Sequence, residues 1–203
     1  VAVSNGIDLS KYQKDPKKEE VFRKHFNIQE GEKVVLCAGL YFRRKGIEDF
    51  VEVARRMPDV RFIWLGSINK WLIPRAIRRL VEKDHPSNVE FPGYFKGAVF
   101  QGAMTGADAF FFPSYEETEG IVVLEALAAH QHVVLRDIPV YHGWVDQESA
   151  ELCHSVDEFV DSLEKVLSGQ VDKRDAGDRV AQSRSIDLVA DQLVKAYQQV
   201  LEM

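Results

Sequence analysis

The chain has 203 residues, 45% of them hydrophobic and 29% charged, and carries a formal charge of −6. Its length suits one compact domain with a substantial core, and no stretch approaches the ~20 consecutive apolar residues of a membrane-spanning helix. The acidic balance argues against a binder of nucleic-acid backbones, whose affinity depends on a basic surface, while leaving room for local basic runs.

Two cysteines, Cys37 and Cys153, lie far apart with no paired spacing. They predict buried thiols in a reducing cytoplasm rather than a disulfide framework or a zinc site. No leader peptide is evident, and Val1-Ala2-Val3 runs straight into the turn-forming pair Asn5-Gly6. The expectation is a chain cut from within a larger protein.

In chain order, Val34 to Ala38 is an apolar run of strand formers that stops at Gly39. Ile47 to Met57 then places Ile47, Phe50, Val51 and Ala54 at helical spacing. Val60 to Leu65 predicts a second strand, ending at Gly66, and Pro74 to Lys83 a second helix. Asn88 to Phe91 reads as a short strand before Pro92-Gly93, Val99 to Met104 as a short helix, and Ala109 to Phe112 as an apolar strand ending at Pro113. Ile121 to His130 predicts a buried helix and His132 to Leu135 the next strand. Val156 to Leu167 and Ile186 to Leu201 carry apolar residues at three- and four-residue steps, so both predict helices. Ser168 to Asp178 is polar and predicts a mobile surface loop. Strands separated by helices need right-handed crossovers, which predicts an α/β fold, a doubly wound parallel sheet of Rossmann-like type.

Ligands of such sheets bind beyond the carboxyl ends of the strands, so the residues just after each strand are the informative ones. Gly39 to Gly46 is a glycine-bounded loop that sets Arg43, Arg44 and Lys45 before a helix. Free N–H groups and the macrodipole attract anions there, and the three cations would complete a diphosphate site, although a solvated basic turn has the same composition. The stretch after Phe112 is more specific: Pro113-Ser-Tyr-Glu-Glu117-Thr-Glu-Gly120-Ile-Val-Val-Leu-Glu125 crosses from strand to helix with seven residues between two carboxylates. Glu117 is expected in the loop facing the crevice and Glu125 one turn into an otherwise apolar helix, where a buried charge requires a partner. A carboxylate that accepts from vicinal hydroxyls holds a sugar or ribose, and the N–H groups of Gly120, Ile121 and Val122 can meet a phosphate between them. Glu116 and Glu119 read as solvated partners of the helix dipole, His130 and His132 as packing or surface residues rather than metal ligands, and Trp64, Trp71 and Trp144 as core or interface residues.

This segment resembles the E-x-x-x-x-x-x-x-E segment of family four retaining glycosyltransferases with the GT-B fold. Asn5-Gly6-Ile7-Asp8 resembles the start of their C-terminal domain, Lys45-Gly46-Ile47 their K-G loop, Asn88 to Gly93 their N-V-x-F-x-G strand, and Asp137-Ile138-Pro139 the segment after the following strand. The resemblance implies one half of a GT-B enzyme: residues 1–30 as an interdomain lead-in, 31–150 as the parallel core and 151–203 as C-terminal helices, with an N-terminal acceptor domain not included. It implies that Glu117 holds hydroxyls of the donor sugar and Glu125 the ribose. Lys45 and Gly120 to Val122 would hold the diphosphate, and Gly93, Tyr94 and Phe95 would meet the base edge. The family's usual arginine after the first-strand glycine is Leu40 here, so a second phosphate cation would have to come from Arg43 or Arg44 or be absent.

The fuller string Glu116 to Glu125, with Arg136 to Tyr141, is most similar to the bacterial branch that glucosylates diacylglycerol, which implies UDP-glucose as donor and a lipid acceptor. No Asp-x-Asp motif occurs, in keeping with a family that needs no metal and is pictured as reacting by front-face attack assisted by the leaving diphosphate. The implied partners are a nucleotide sugar, the missing N-terminal domain and, through that domain, the inner face of a membrane. The competing reading is a non-catalytic nucleotide-sugar-binding or scaffold module, disfavoured by the joint presence of Lys45, Glu117 and Glu125. An epimerase or isomerase would need a glycine-rich dinucleotide fingerprint or a catalytic base, and neither is found.

Overall fold

The structure, a computed structural model, describes residues 3–201. A 6-stranded sheet is formed by β1 (Val34–Ala38), β2 (Arg61–Leu65), β3 (Val89–Gly93), β4 (Ala109–Phe112), β5 (Val133–Arg136) and β6 (Glu151–Cys153), in the order β3-β2-β1-β4-β5-β6. All neighbouring strands are parallel, as the doubly wound reading requires. β1, β4 and β5 are buried throughout, because helices cover both faces, and this is why they read as unbroken apolar runs rather than alternating ones.

The helices are α1 (Pro16–His25), α2 (Ile47–Arg56), α3 (Arg75–Glu82), α4 (Ala98–Gly106), α5 (Ile121–Ala128), α6 (Val156–Leu167), α7 (Arg174–Ser183) and α8 (Ile186–Leu201). α2 touches α3 and α6 in one layer, while α1, α4, α5 and α7 follow one another in the other. Among the described residues no helix is long and apolar enough to cross a membrane.

Three elements differ from the sequence expectation. α1 arises because the Asp15 carboxylate caps the Lys17 N–H at 3.0 Å and Pro16 takes the first helical position. It packs on α4 so closely that a Cβ on Gly102 would sit 2.0 Å from the Lys18 carbonyl oxygen. The polar segment Ser168 to Asp178 is a loop only in its first part, since α7 begins at Arg174 and lays Gly177 against Leu127 of α5. β6 is a three-residue edge strand, too short to show a pattern. Both thiols are free and buried.

The chain departs in opposite directions from the central pair β1–β4, which is registered Val35 to Ala109 and Leu36 to Phe110. The crevice of a doubly wound sheet opens at that switch point.

Candidate functional site

A cavity of about 370 Å³ lies at the carboxyl ends of the central strands. Its wall is made by Gly39, Leu40 and Lys45 after β1, Gly66 after β2, Tyr94 and Phe95 after β3, and Glu117, Gly120, Ile121 and Val122 around the start of α5. Two glycines allow the loops to meet. Gly66 has φ of 151°, and a Cβ there would lie 1.9 Å from the Gly39 carbonyl oxygen. Gly46 has φ of 79°, and its Cβ would lie 2.3 Å from the carbonyl oxygen of Pro113.

The approach at Gly46 brings together two residues 72 positions apart in the chain, Lys45 and Glu117, as an ion pair. Their side chains are 12% and 8% exposed, so the pair is largely withdrawn from water and feels less screening than a surface pair. The Ser114 hydroxyl donates to the same carboxylate oxygen at 2.6 Å, and the Lys45 ammonium lies 5.3 Å from the centre of the Phe112 ring. Lys45 is the cation of the cavity wall. Arg43 and Arg44 stand outside that wall: Arg43 pairs with Glu48 at 2.9 Å, and Arg44 donates to the Glu116 carbonyl at 2.8 Å. Arg44 thereby fastens the loop that carries Glu117, reinforced by the Tyr115 N–H on the Arg44 carbonyl at 2.8 Å.

Gly120, with φ of 81°, caps α5 without a side chain. Its carbonyl takes the Val123 N–H at 2.8 Å. The N–H groups of Ile121 and Val122 have no acceptor within the helix and sit at its positive end beside the cavity.

Glu125 lies one turn further on and outside the cavity wall. Its carboxylate accepts from the Tyr12 hydroxyl, and burial raises its pKa, an effect the Tyr12 hydrogen bond only partly offsets. After β3, Gly93 already uses its backbone, accepting from the Gly66 N–H at 2.8 Å and donating to the Tyr41 hydroxyl at 3.2 Å. Phe95 packs edge-on against His25 and Phe26 at 5.0 and 5.6 Å, whereas Tyr94 is 71% exposed at the cavity mouth.

Several contributors are not among the site residues to which the sequence points. Tyr12 reaches Glu125 from a 3-10 turn 113 positions earlier. Tyr141 is wholly buried, its hydroxyl has no hydrogen-bond partner among the described residues, and a Cβ on Gly120 would lie 2.9 Å from its ring. Burial drives its phenol pKa upward, and the negative charge of Glu117 adds to the rise. The buried guanidinium of Arg136 donates to the Pro113 carbonyl at 3.1 Å and the His154 carbonyl at 3.2 Å, pairs with Asp49, and lies 4.0 Å from the Tyr115 ring centre. Glu119 is not a solvated dipole partner. It accepts from the Ser4 hydroxyl and the Asn5 side chain, takes the Asn5 N–H at 3.1 Å, and has Arg184 at 3.7 Å. The signal that could have marked Arg136 is a lone cation closing the apolar run Val133 to Leu135, and for Tyr141 a polar ring in an apolar segment. Tyr12 and Glu119 gave no comparable signal. His130 pairs with Asp175 at 2.9 Å, and His132 lies 3.9 Å from Asp172. Trp64 is core, Trp144 is half-buried, and Trp71 is 86% exposed.

A cation, a carboxylate and a helix N-terminus around one cavity can hold an anion next to a group with hydroxyls. The Processive diacylglycerol alpha-glucosyltransferase of Acholeplasma laidlawii is 49% identical over 205 aligned residues, covering 100% of this chain and 61% of that protein. The Lipopolysaccharide glucosyltransferase WaaG of Escherichia coli (strain K12) is 33% identical, over 64% of this chain and 35% of its own length. The chain thus spans less than two-thirds of either relative.

Among solved structures, Sucrose-phosphate synthase from Thermosynechococcus elongatus superposes with a TM-score of 0.85 at 21% identity, covering 98% of this chain and 52% of that one. Anabaena Alr3699/HepE in complex with UDP-glucose superposes with a TM-score of 0.82 at 15% identity, covering 97% and 57%. Both likenesses are of fold. The profile of the family described as Glycosyl transferases group 1 matches residues 18–183, and this chain belongs to that family.

Proposed function

We propose that this chain is the donor-binding part of a retaining hexosyltransferase that uses UDP-glucose and, in the whole protein, transfers glucose to a diacylglycerol-type lipid. The observation that carries the reading is the Lys45–Glu117 pair at the foot of α5, in the wall of the cavity. Support for the sugar and the acceptor comes from the 49% identical relative, named as a diacylglycerol alpha-glucosyltransferase. In this reading residues 1–30 lead in from an acceptor domain, 31–150 form most of the donor core, and 151–203 complete it with β6 and the closing helices. The whole enzyme works at the inner face of a membrane.

When the donor enters, its diphosphate takes Lys45 and the N–H groups of Ile121 and Val122. Charge growing on the leaving diphosphate is then met by a fixed cation and the positive end of a helix, both already in place. Released from Lys45 and still held by Ser114, Glu117 turns its free acceptor capacity to the sugar hydroxyls. Glu125 exchanges Tyr12, or shares it, with the ribose. Tyr94 and Phe95 meet the base. No metal is needed in this scheme.

The test is calorimetry of Glu117→Gln and Glu125→Gln with UDP and UDP-glucose. A hydrogen bond to a charged group contributes about 1.5–3 kcal/mol, or roughly ten- to a hundred-fold in affinity. Glu125→Gln is expected to weaken both ligands alike, because both carry the ribose. Glu117→Gln should spare UDP and weaken UDP-glucose. Equal loss of UDP and UDP-glucose in Glu117→Gln, or no loss of either in Glu125→Gln, overturns the assignment. An isolated domain that transfers glucose efficiently without further chain would overturn the placement of the acceptor site elsewhere.

A further inference from the structure

Between β2 and α3 the chain exposes what a folded domain ordinarily hides. Trp71 is 86% exposed and Leu72 is 67% exposed, although the residues after them are well anchored, with Ile73 at 7% and Ile77 at 1%. The Asn69 side chain fixes the turn by accepting the Trp71 N–H at 3.1 Å. The indole and the leucine are therefore held out by ordered structure.

Their surroundings are cationic in a chain whose net charge is −6. From Asn69 to Val81 there is no acidic residue, while Lys70, Arg75, Arg78 and Arg79 all fall within that stretch. The Arg78 guanidinium lies 5.8 Å from the centre of the Trp71 ring. Arg79 pairs with Asp84, and Arg75 is exposed and in no ion pair among the described residues. β3 lies beside β2, and the loop that follows it adds exposed Tyr94 and Lys96 at the same edge of the sheet.

We propose that this surface, from Trp71 and Leu72 through Arg75 and Arg78, docks on an anionic lipid bilayer. An indole settles at headgroup depth, a leucine beside it enters the acyl boundary, and guanidinium groups bind lipid phosphates in forked hydrogen bonds. An acidic soluble protein would match the arginines but leave Trp71 and Leu72 without a comparable environment. Tyr94 lines the cavity mouth and follows β3, the strand beside β2, so a docked domain would hold its cavity close to the headgroup layer. The docking stands on the exposed surface alone, and only its use for a lipid acceptor rests on the function proposed above.

The experiment is co-sedimentation of the chain with vesicles of phosphatidylcholine alone and of phosphatidylcholine mixed equally with phosphatidylglycerol, with tryptophan quenching by brominated lipid as the second reading. Binding to the anionic vesicles, weakened by salt, is expected, with little on phosphatidylcholine. Arg75→Gln with Arg78→Gln should lower the partition coefficient roughly five-fold for each charge removed. Trp71→Ser with Leu72→Ser should weaken binding and abolish most of the quenching. UDP titration of the same variants should match the parent, which separates a failure of docking from a failure of the donor site. Absence of binding to anionic vesicles, equal binding by parent and variants, equal binding to poly-glutamate, or a Trp71-dependent dimer in place of vesicle binding would each overturn the proposal.

Discussion

Glu125 shows how one buried charge can weigh against the fold. Its carboxylate lies in an apolar helix with the Tyr12 hydroxyl as the partner found for it, and burial raises its pKa. The proton is therefore bound more tightly in the folded chain than in the unfolded one, and stability falls as pH rises from the unfolded value near 4.5 through the folded one. The penalty is therefore larger at neutral pH than at pH 4. Glu125→Gln keeps the shape and an acceptor for Tyr12 but no charge. It is expected to be at least as stable as the parent at pH 7, with the difference shrinking toward pH 4, where both states of the parent are largely protonated. Urea unfolding at the two pH values checks this, and a variant less stable at pH 7 would contradict it. Stability at or above the parent's together with weaker UDP binding would identify Glu125 as a functional charge rather than a structural one. The sequence exposes Glu125 because a carboxylate inside Ile121 to Ala128 breaks the local pattern. Tyr12 escapes notice because nothing nearby in sequence requires it.

At the level of elements, strands and loops differ in how much of their cause is local. β1, β4 and β5 are legible because burial on both faces makes each an apolar run, and α2 and α6 because one face alone is buried. α1 and α7 are obscure for the opposite reason. Their contacts run through Gly102 and Gly177, and close backbone approach leaves no apolar stripe, although Asp15-Pro16 was a readable start signal for α1. The loops of the site rest on the same kind of contact. Gly46 needs its positive φ and has the Pro113 carbonyl against it, so Gly46→Ala should cost roughly 2–4 kcal/mol from backbone strain and overpacking. The two loops would also move apart, so UDP affinity should drop even where the domain is still fully folded. Equilibrium unfolding paired with calorimetry measures both, and unchanged values in each would mean that the approach at Gly46 does not position Lys45 against Glu117.

Across the whole molecule the site is assembled by connections that span the chain. Sequence reading finds Lys45, Glu117 and Gly120 as candidates, yet their meeting depends on pairing and register over 72 positions. It also depends on Arg136, whose guanidinium joins β5 to Pro113, to Asp49 of α2 and to the His154 carbonyl. A further connection closes the fold: the Ile7 N–H donates to the Arg184 carbonyl at 3.0 Å, and the Ile186 N–H donates to the Ile7 carbonyl at 2.9 Å. Beside it, Glu119 grips Ser4 and Asn5 one residue before the glycine that starts α5. Glu119→Ala is expected to speed amide exchange at Asn5 and Gly6 while leaving β1 and β4 protected, and unchanged exchange at Asn5 would show the grip to be inconsequential. Because Glu119 lies between that segment and the cavity, the two ends of the grip share one free energy. A donor that stiffens residues 117–122 must slow opening at Ser4 and Asn5, and by reciprocity a pull on that segment must alter donor affinity by the same factor. On the donor site proposed above, the segment at Ser4 and Asn5 becomes a lever on the ligand, and tension along it a variable that donor binding would both sense and resist.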